Sequence, residues 1–144
     1  MRHAAASAGQ VRHYLVDDLG RLGAARELIE DAALLVSELV TNAVRYAHPL
    51  PGDTLRVSWE YVPGRLLLRV TDGGGRGQPR VRDAGPFDVR GRGLAIVDRV
   101  AAAWGVERGR NGGKTSSTVW AELAAARLSR RSFAASNGGS SGRR

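Results

Sequence analysis

Apolar residues recur along this chain at two different periods, and the switch between them marks out its elements. From Ser7 to Leu22, Val11, Tyr14, Leu15, Leu19 and Leu22 are spaced three and four apart. That spacing predicts an amphipathic helix with Ser7 placed to cap it, loosened at its end by Gly20 and Gly23. Glu27 to Ala47 carries the strongest helical pattern, a single stripe of Leu28, Ala32, Leu35, Leu39 and Ala43 stopped by His48-Pro49-Leu50-Pro51-Gly52. The period then falls to two. Leu55, Val57, Trp59 and Tyr61 alternate with polar residues, Pro63-Gly64 makes a turn, and Leu66, Leu68 and Val70 alternate again, which predicts a β-hairpin. Asp72 to Arg90 is rich in Gly, Pro, Arg and Asp, has no clear period, and reads as a long loop, of a length that is usually functional or disordered. Helical spacing returns from Leu94 to Ala103, introduced by Gly91-Arg92-Gly93. Trp104–Arg108 and Thr118–Leu123 complete the pattern as two strands around a glycine-rich turn.

The order is helix, helix, strand, strand, loop, helix, strand, strand. Strands that arrive in hairpins rather than in alternating βαβ units predict an α+β fold, with helices on one face of a mostly antiparallel sheet. The 144 residues, 42% hydrophobic and 25% charged, suit one domain over 7–125 with a real core, and no internal repeat is present. After about Ala126 the Ser/Gly/Arg composition predicts a disordered tail, 126–144.

Charge and cysteine content narrow the function classes. The net charge of +8 invites a nucleic-acid reading, but the tail holds Arg127, Arg130, Arg131, Arg143 and Arg144 and no acid. Without those five, 17 basic residues face 14 acidic ones, so the folded part is mildly basic and direct nucleic-acid binding is not the expected main function. Lys114 is the only lysine among the 22 basic residues. The absence of cysteine excludes disulfides and thiolate metal sites, and a reducing cytoplasm is the expected location. Met1 to Gln10 has no apolar core of a secretory signal, and no stretch approaches the roughly 18 apolar residues of a membrane helix.

Three short segments could carry chemistry. Glu38 and Asn42 lie one turn apart on the long helix, Asn42 about 60° from Leu39 in the middle of the stripe. Polar groups at a core boundary are costly unless satisfied; Mg²⁺ and its waters would satisfy both, and a solvated flank with Arg45 as partner is the plainer alternative. Val70-Thr71-Asp72-Gly73-Gly74-Gly75 ends a strand in an acid that could accept from the exocyclic amine of a base, followed by backbone able to approach a flat ring. An ordinary Asp-Gly turn, which is common, is the plainer alternative for this motif alone. Gly91-Arg92-Gly93 runs into a helix start, whose free N–H groups and dipole favour phosphate, with Arg92 a charged donor; a helix start without a ligand is the alternative.

Other nucleotide and catalytic patterns are excluded. Gly113-Lys114-Thr115 lacks the earlier glycine of a Walker A motif, since Arg108 stands there, and a strand rather than a helix follows. Gln78 and Ile96 replace the third glycine of a dinucleotide fingerprint. His3, His13 and His48 are scattered, with no zinc-ligand spacing, and no Gly-x-Ser-x-Gly elbow is present. His48 before Pro49 reads as a surface residue at a helix end.

Taken in order, the three segments resemble the boxes of the gyrase/histidine-kinase/MutL (GHKL) ATPases. Glu38-Leu39-Val40-Thr41-Asn42-Ala43 resembles the N box, Asp72-Gly73-Gly74 the G1 box, and Gly91-Arg92-Gly93-Leu94-Ala95-Ile96 the G2 box. Gly113 and Thr118-Val119-Trp120 are similar to the closing Gly/Thr strand, so the resemblance covers about Val11 to Leu123. It implies a two-layer α/β sandwich, the Bergerat fold, with a mostly antiparallel mixed sheet. It also implies ATP and Mg²⁺: Asn42 as Mg²⁺ ligand, Glu38 activating the attacking hydroxyl or water, Asp72 on the adenine amino group with Gly74 under the ring. Gly91, Arg92 and Gly93 would hold phosphates, with Leu94 beside them; Thr118 would help at the adenine side; and Asp72 to Arg90 would be the lid.

The Ser-Glu-Leu-Val-Thr-Asn-Ala run is similar to the anti-sigma-factor serine-kinase branch and its stand-alone actinobacterial members. The segment before the N box is too short for a phosphoacceptor-histidine module, and nothing after Leu123 suits a gyrase-like second domain. Three positions depart from the pattern: Arg76 where a further glycine is usual, Tyr46 where histidine is frequent, and Lys114-Thr115-Ser116-Ser117 inserted before Thr118. The insertion leaves the choice between Thr115 and Thr118 open. The resemblance implies a protein-serine kinase acting on an anti-anti-sigma-type antagonist, and through it on a sigma factor. The competing reading is a module that binds ATP and sequesters a protein partner without catalysis. Glu38 favours the kinase, because a binder needs no base. A homodimer through the first helix or the sheet is compatible with the resemblance.

Overall fold

The computed structural model of the protein describes residues 1–75 and 89–124, with the backbone alone described at 89–94 and at Asn111. Its elements run α1 (Ser7–Arg21), α2 (Arg26–Tyr46), β1 (Arg56–Val62), β2 (Arg65–Asp72), α3 (Val89–Val100), β3 (Ala103–Asn111) and β4 (Lys114–Ala124). The strands form one sheet in the order β1-β2-β4-β3. The expected α+β architecture is therefore present, with one correction. Every pairing among the described residues is antiparallel, so the sheet there is not mixed. β2 and β3, joined through α3, run the same way, but β4 lies between them and no parallel pair forms.

α2 is the element on which the core is assembled. All five residues of its predicted stripe are buried, and Ala33, Val36 and Val40 widen the apolar face. A face that broad meets α1 and α3 on its two sides and β2 and β4 below. The sheet answers with Leu66, Leu68, Val70, Ala121 and Leu123, all buried on the face toward the helices. α1 contributes Val11, Leu15 and Leu19, whereas Tyr14 and Leu22, expected in its stripe, lie outside it and are 63% and 54% exposed. The reason is geometric: an α1 that packs chiefly on α2 needs only a narrow i, i+4 seam.

The chain is ordered before Ser7. Leu55 N–H donates to the Met1 carbonyl and His3 N–H to the Asp53 carbonyl, which lays residues 1–3 as a strap along the loop before β1. Ser7 does not cap α1 as expected. Ala6 holds the cap position, and the buried Ser7 hydroxyl donates instead to the Arg2 carbonyl, closing the strap onto the helix. Both hairpins fall where the sequence placed them. The second is longer than expected, because Gly112-Gly113 alone make its turn, with φ of 60° and 82°. Two successive positive φ values suit a two-residue connection whose twist matches the strands. Lys114 to Ser117 are thereby absorbed into β4, paired with Asn111 back to Arg108. The expected tail, 126–144, lies outside the described residues.

Leu35, wholly buried at the centre of α2, is expected to be the most sensitive apolar position. Leu35→Ala should lower unfolding stability by about 2–5 kcal/mol in urea titration. A loss below 1 kcal/mol would show that the α2–sheet interface is not the core.

Candidate functional site

The alternation of β2 carries a carboxylate into the interior. Leu66, Leu68 and Val70 point toward the helices, and the same parity brings Asp72 to that face at the strand's end, 7% exposed. Its Oδ1 accepts the Gly74 N–H at 2.7 Å. Oδ2 has no partner among the described residues. Burial pushes the Asp72 carboxyl above its ordinary value, opposed by the Gly74 hydrogen bond and by the charge of His3. An acid in this setting is a directed acceptor, because one oxygen is already oriented by the backbone.

The segment after Asp72 is pinned to the end of α2. Gly73 N–H donates to the His48 carbonyl at 2.7 Å, and His48 N–H to the Gly74 carbonyl at 2.9 Å. A side chain at Gly73 would stand 2.3 Å from the Pro49 carbonyl oxygen, and one at Gly75 only 2.1 Å from the His48 ring. Glycine is thus required at 73 by close approach to backbone and at 75 by a φ of 107°, in the protein alone. His48 is exposed at the helix end as expected, yet its backbone and ring hold the glycine run in place.

β4 lies beside β2, and its register decides which hydroxyl accompanies Asp72. Asp72 pairs with Ser117 and Thr71 with Thr118. Ser117 is buried on the helix-facing side. Thr118 faces the opposite side of the sheet, where its Oγ1 lies 2.7 Å from Thr71 Oγ1. The expectation that Thr118 serves the same pocket as Asp72 is corrected by this parity, since neighbouring strand residues point to opposite faces. Thr115 donates to the Gly73 carbonyl at 3.4 Å. The hydroxyl on the Asp72 side is therefore that of Ser117.

Glu38 and Asn42 are half-buried on α2, and neither has a side-chain partner among the described residues. The Arg45 pairing that a solvated flank would use is not formed there. α3 starts at Val89, earlier than expected, so Gly91, Arg92 and Gly93 lie inside its first turns rather than ahead of it. Gly91 and Arg92 still fall among the first four residues, whose N–H groups have no helical acceptor. Their side chains, that of Leu94, and the expected lid over 76–88 lie outside the described residues. Among the described residues, no cluster of three His, Cys, Asp or Glu could hold a metal by itself.

A family model for the histidine kinase-like ATPase domain matches residues 1–120. The chain belongs to this family. Among solved structures, the chain is similar to the Acinetobacter baumannii histidine kinase AdeS at 20% identity, covering 66% of this chain and 47% of that one, with a TM-score of 0.39. The chain thus spans less than half the length of that protein. No curated protein matches it. No helix among the described residues is long and apolar enough to cross a membrane.

As a histidine kinase-like ATPase domain, the chain is an ATP-binding fold. Sequence reasoning proposed Asp72, Glu38 and Asn42 as site residues but did not bring out Ser117 or the contacts of His3 and His48. Ser117 was within reach, because extending the strand parity back from Leu123, Ala121 and Val119 lands on it. The other two had no signal, since each acts through contacts distant in sequence.

The raised pKa of Asp72 has a consequence for stability. The folded chain holds this proton more tightly than the unfolded chain, so the contribution of neutral Asp72 is present in acid and is lost as pH rises through the folded pKa. Asp72→Asn keeps an oxygen for the Gly74 N–H without the charge. It is expected to make the nucleotide-free protein more stable at neutral pH, with the advantage vanishing in acid. Urea titrations across pH test this, and a variant less stable than wild type at neutral pH would contradict it.

Proposed function

We propose that the protein is a Mg·ATP-dependent serine kinase that phosphorylates an anti-anti-sigma-type antagonist and so controls a sigma factor. The observation that carries the reading is the buried Asp72, oriented by Gly74, with Oδ2 unpartnered among the described residues and Ser117 beside it. An adenine ring fits this arrangement. Its amino group donates to Asp72, Gly74 offers backbone without a side chain to the ring face, and Ser117 supplies a second hydroxyl in the role expected of Thr118. Gly91, Arg92, Gly93 and Leu94 at the start of α3 are assigned to the phosphates.

The half-buried Glu38 and Asn42 support the rest. Asn42 is a neutral oxygen ligand suited to Mg²⁺, which would supply charge neutralisation at the phosphates. Glu38, one turn away, is the base for a serine hydroxyl. It takes the hydroxyl proton as the serine oxygen bonds to the terminal phosphorus and the bond to the ADP oxygen breaks. A module that only sequesters a partner would use Asp72 and Asn42 and leave Glu38 without work.

Two variants separate these roles. Glu38→Ala is expected to retain Mg·ATP binding while phosphotransfer to a serine-bearing antagonist falls about 10²–10⁴-fold. Asn42→Ala should impair both. Binding is followed with a fluorescent ATP analogue and transfer with labelled phosphate. Transfer by Glu38→Ala at the wild-type rate would remove Glu38 from catalysis, and wild type that binds but never transfers would establish the binding module.

Asp72→Asn should weaken ATP binding by about 1.5–3 kcal/mol, the usual loss of a hydrogen bond to a charged group. Unchanged affinity by calorimetry would take Asp72 out of the site.

A further inference from the structure

The helix-facing side of the sheet changes character at one end. Strand parity puts only uncharged side chains on that side until its last rows. There Asp72 of β2 lies opposite Ser117 of β4, and Ser117 lies opposite Arg108 of β3. Neighbouring strands thus set an acid, a hydroxyl and a guanidinium in one row on one face. Arg110 shares that face one row nearer the turn, opposite Thr115. On this face of the described strands, Asp72 is the only acid and Arg108 and Arg110 are the only bases. Asp72 and Arg108 stand two strand spacings apart, about 10 Å of backbone. Arg108 is exposed and forms no ion pair among the described residues. The arginines of β2 differ, since Arg65 pairs with Glu122 at 2.9 Å and Arg69 with Glu60 at 3.0 Å, all on the opposite face.

We propose that Arg108 is a further nucleotide-binding residue, whose guanidinium lies against the ring of the base that Asp72 accepts from. The proposal rests on the assignment of Asp72 to the base. A ring that donates to Asp72 and meets the Ser117 hydroxyl lies over β4, and its far side then reaches the strand that carries Arg108. The long arginine stem spans one strand spacing, so the guanidinium comes back over the middle of the row. Its plane is weakly hydrated and stacks on flat rings, where the charge is attracted to the ring face. The phosphates are assigned to the start of α3, which leaves Arg108 to the base. The base is thereby held at its edge by Asp72 and on its face by a cation from a strand two places away.

The test measures ATP and ADP affinity by calorimetry, at low and high salt, for wild type, Arg108→Ala, Arg108→Lys and Arg110→Ala. Arg108→Ala should weaken both nucleotides by the same factor, about three- to tenfold, and the factor should persist at high salt. Arg108→Lys should stay close to Arg108→Ala, because an ammonium keeps the charge without the plane. Arg110→Ala removes the same charge from the same face and should bind both nucleotides as wild type does. A loss larger for ATP than for ADP, and shrinking with salt, would show that Arg108 senses phosphate and would overturn the proposal. Full rescue by lysine, or an equal loss in Arg110→Ala, would overturn it as well, since charge alone would then suffice. Wild-type affinity in Arg108→Ala would end the proposal and leave Asp72 in place. Wild type that binds neither nucleotide would end the assignment of the base to Asp72, and this proposal with it.

Discussion

A single buried carboxylate sets the terms for the rest of this structure. Asp72 continues the alternation of Leu66, Leu68 and Val70, so the register that buries the apolar side chains also buries the acid. A one-residue slip of β2 would expose all four together. The core and the site are therefore not separable features. Desolvation of the carboxylate is opposed by one backbone N–H and one histidine, and each depends on a different part of the chain being in place. A ligand that donates to the remaining oxygen would complete that set.

The surroundings of Asp72 are tied together by backbone hydrogen bonds. The exchange of hydrogen bonds between His48 and the Gly73–Gly74 pair fastens the end of α2 to the end of β2. Gly73 passes so close to the Pro49 backbone that no side chain fits, and Gly75 holds a φ of 107° that side chains disfavour. The glycine run, which reads as flexibility in the sequence, is in this fold a packing requirement. The same coupling joins the proposed metal and base contacts. Asn42 and Ala43 are consecutive on α2, and the Ala43 carbonyl lies 2.8 Å from His3 Nε2.

The sheet's edges and hairpins follow from simpler constraints. Two glycines at positive φ let β3 turn directly into β4. The four residues from Lys114 to Ser117 then lengthen a strand rather than forming a loop. That added length brings Ser117 into the strand, on the inner face with Ala121 and Leu123, while Thr118 lies on the outer one. The hydroxyl next to Asp72 thus changes identity while the strand's chemistry stays the same.

What the sequence by itself determined is whatever repeats locally. The five-residue stripe of α2, the period-two runs of β1 and β2, and the strand-end acid before three glycines were all legible, because helical and extended periodicities are set by the backbone. The boxes around Glu38, Asn42 and Asp72 were legible for the same reason, each lying within one element. The tertiary structure alone decided the rest. The exposure of Tyr14 depends on where α1 lies against α2, and the role of Ser7 on a strap that folds back to it. The placement of Ser117 opposite Asp72 depends on a register between strands some 45 residues apart in sequence. His3 gains its place from Ala43 and Asp53, 40 and 50 positions away. Such contacts leave no periodic trace, because a side chain's partners across a core are fixed by packing geometry and not by its neighbours in the chain.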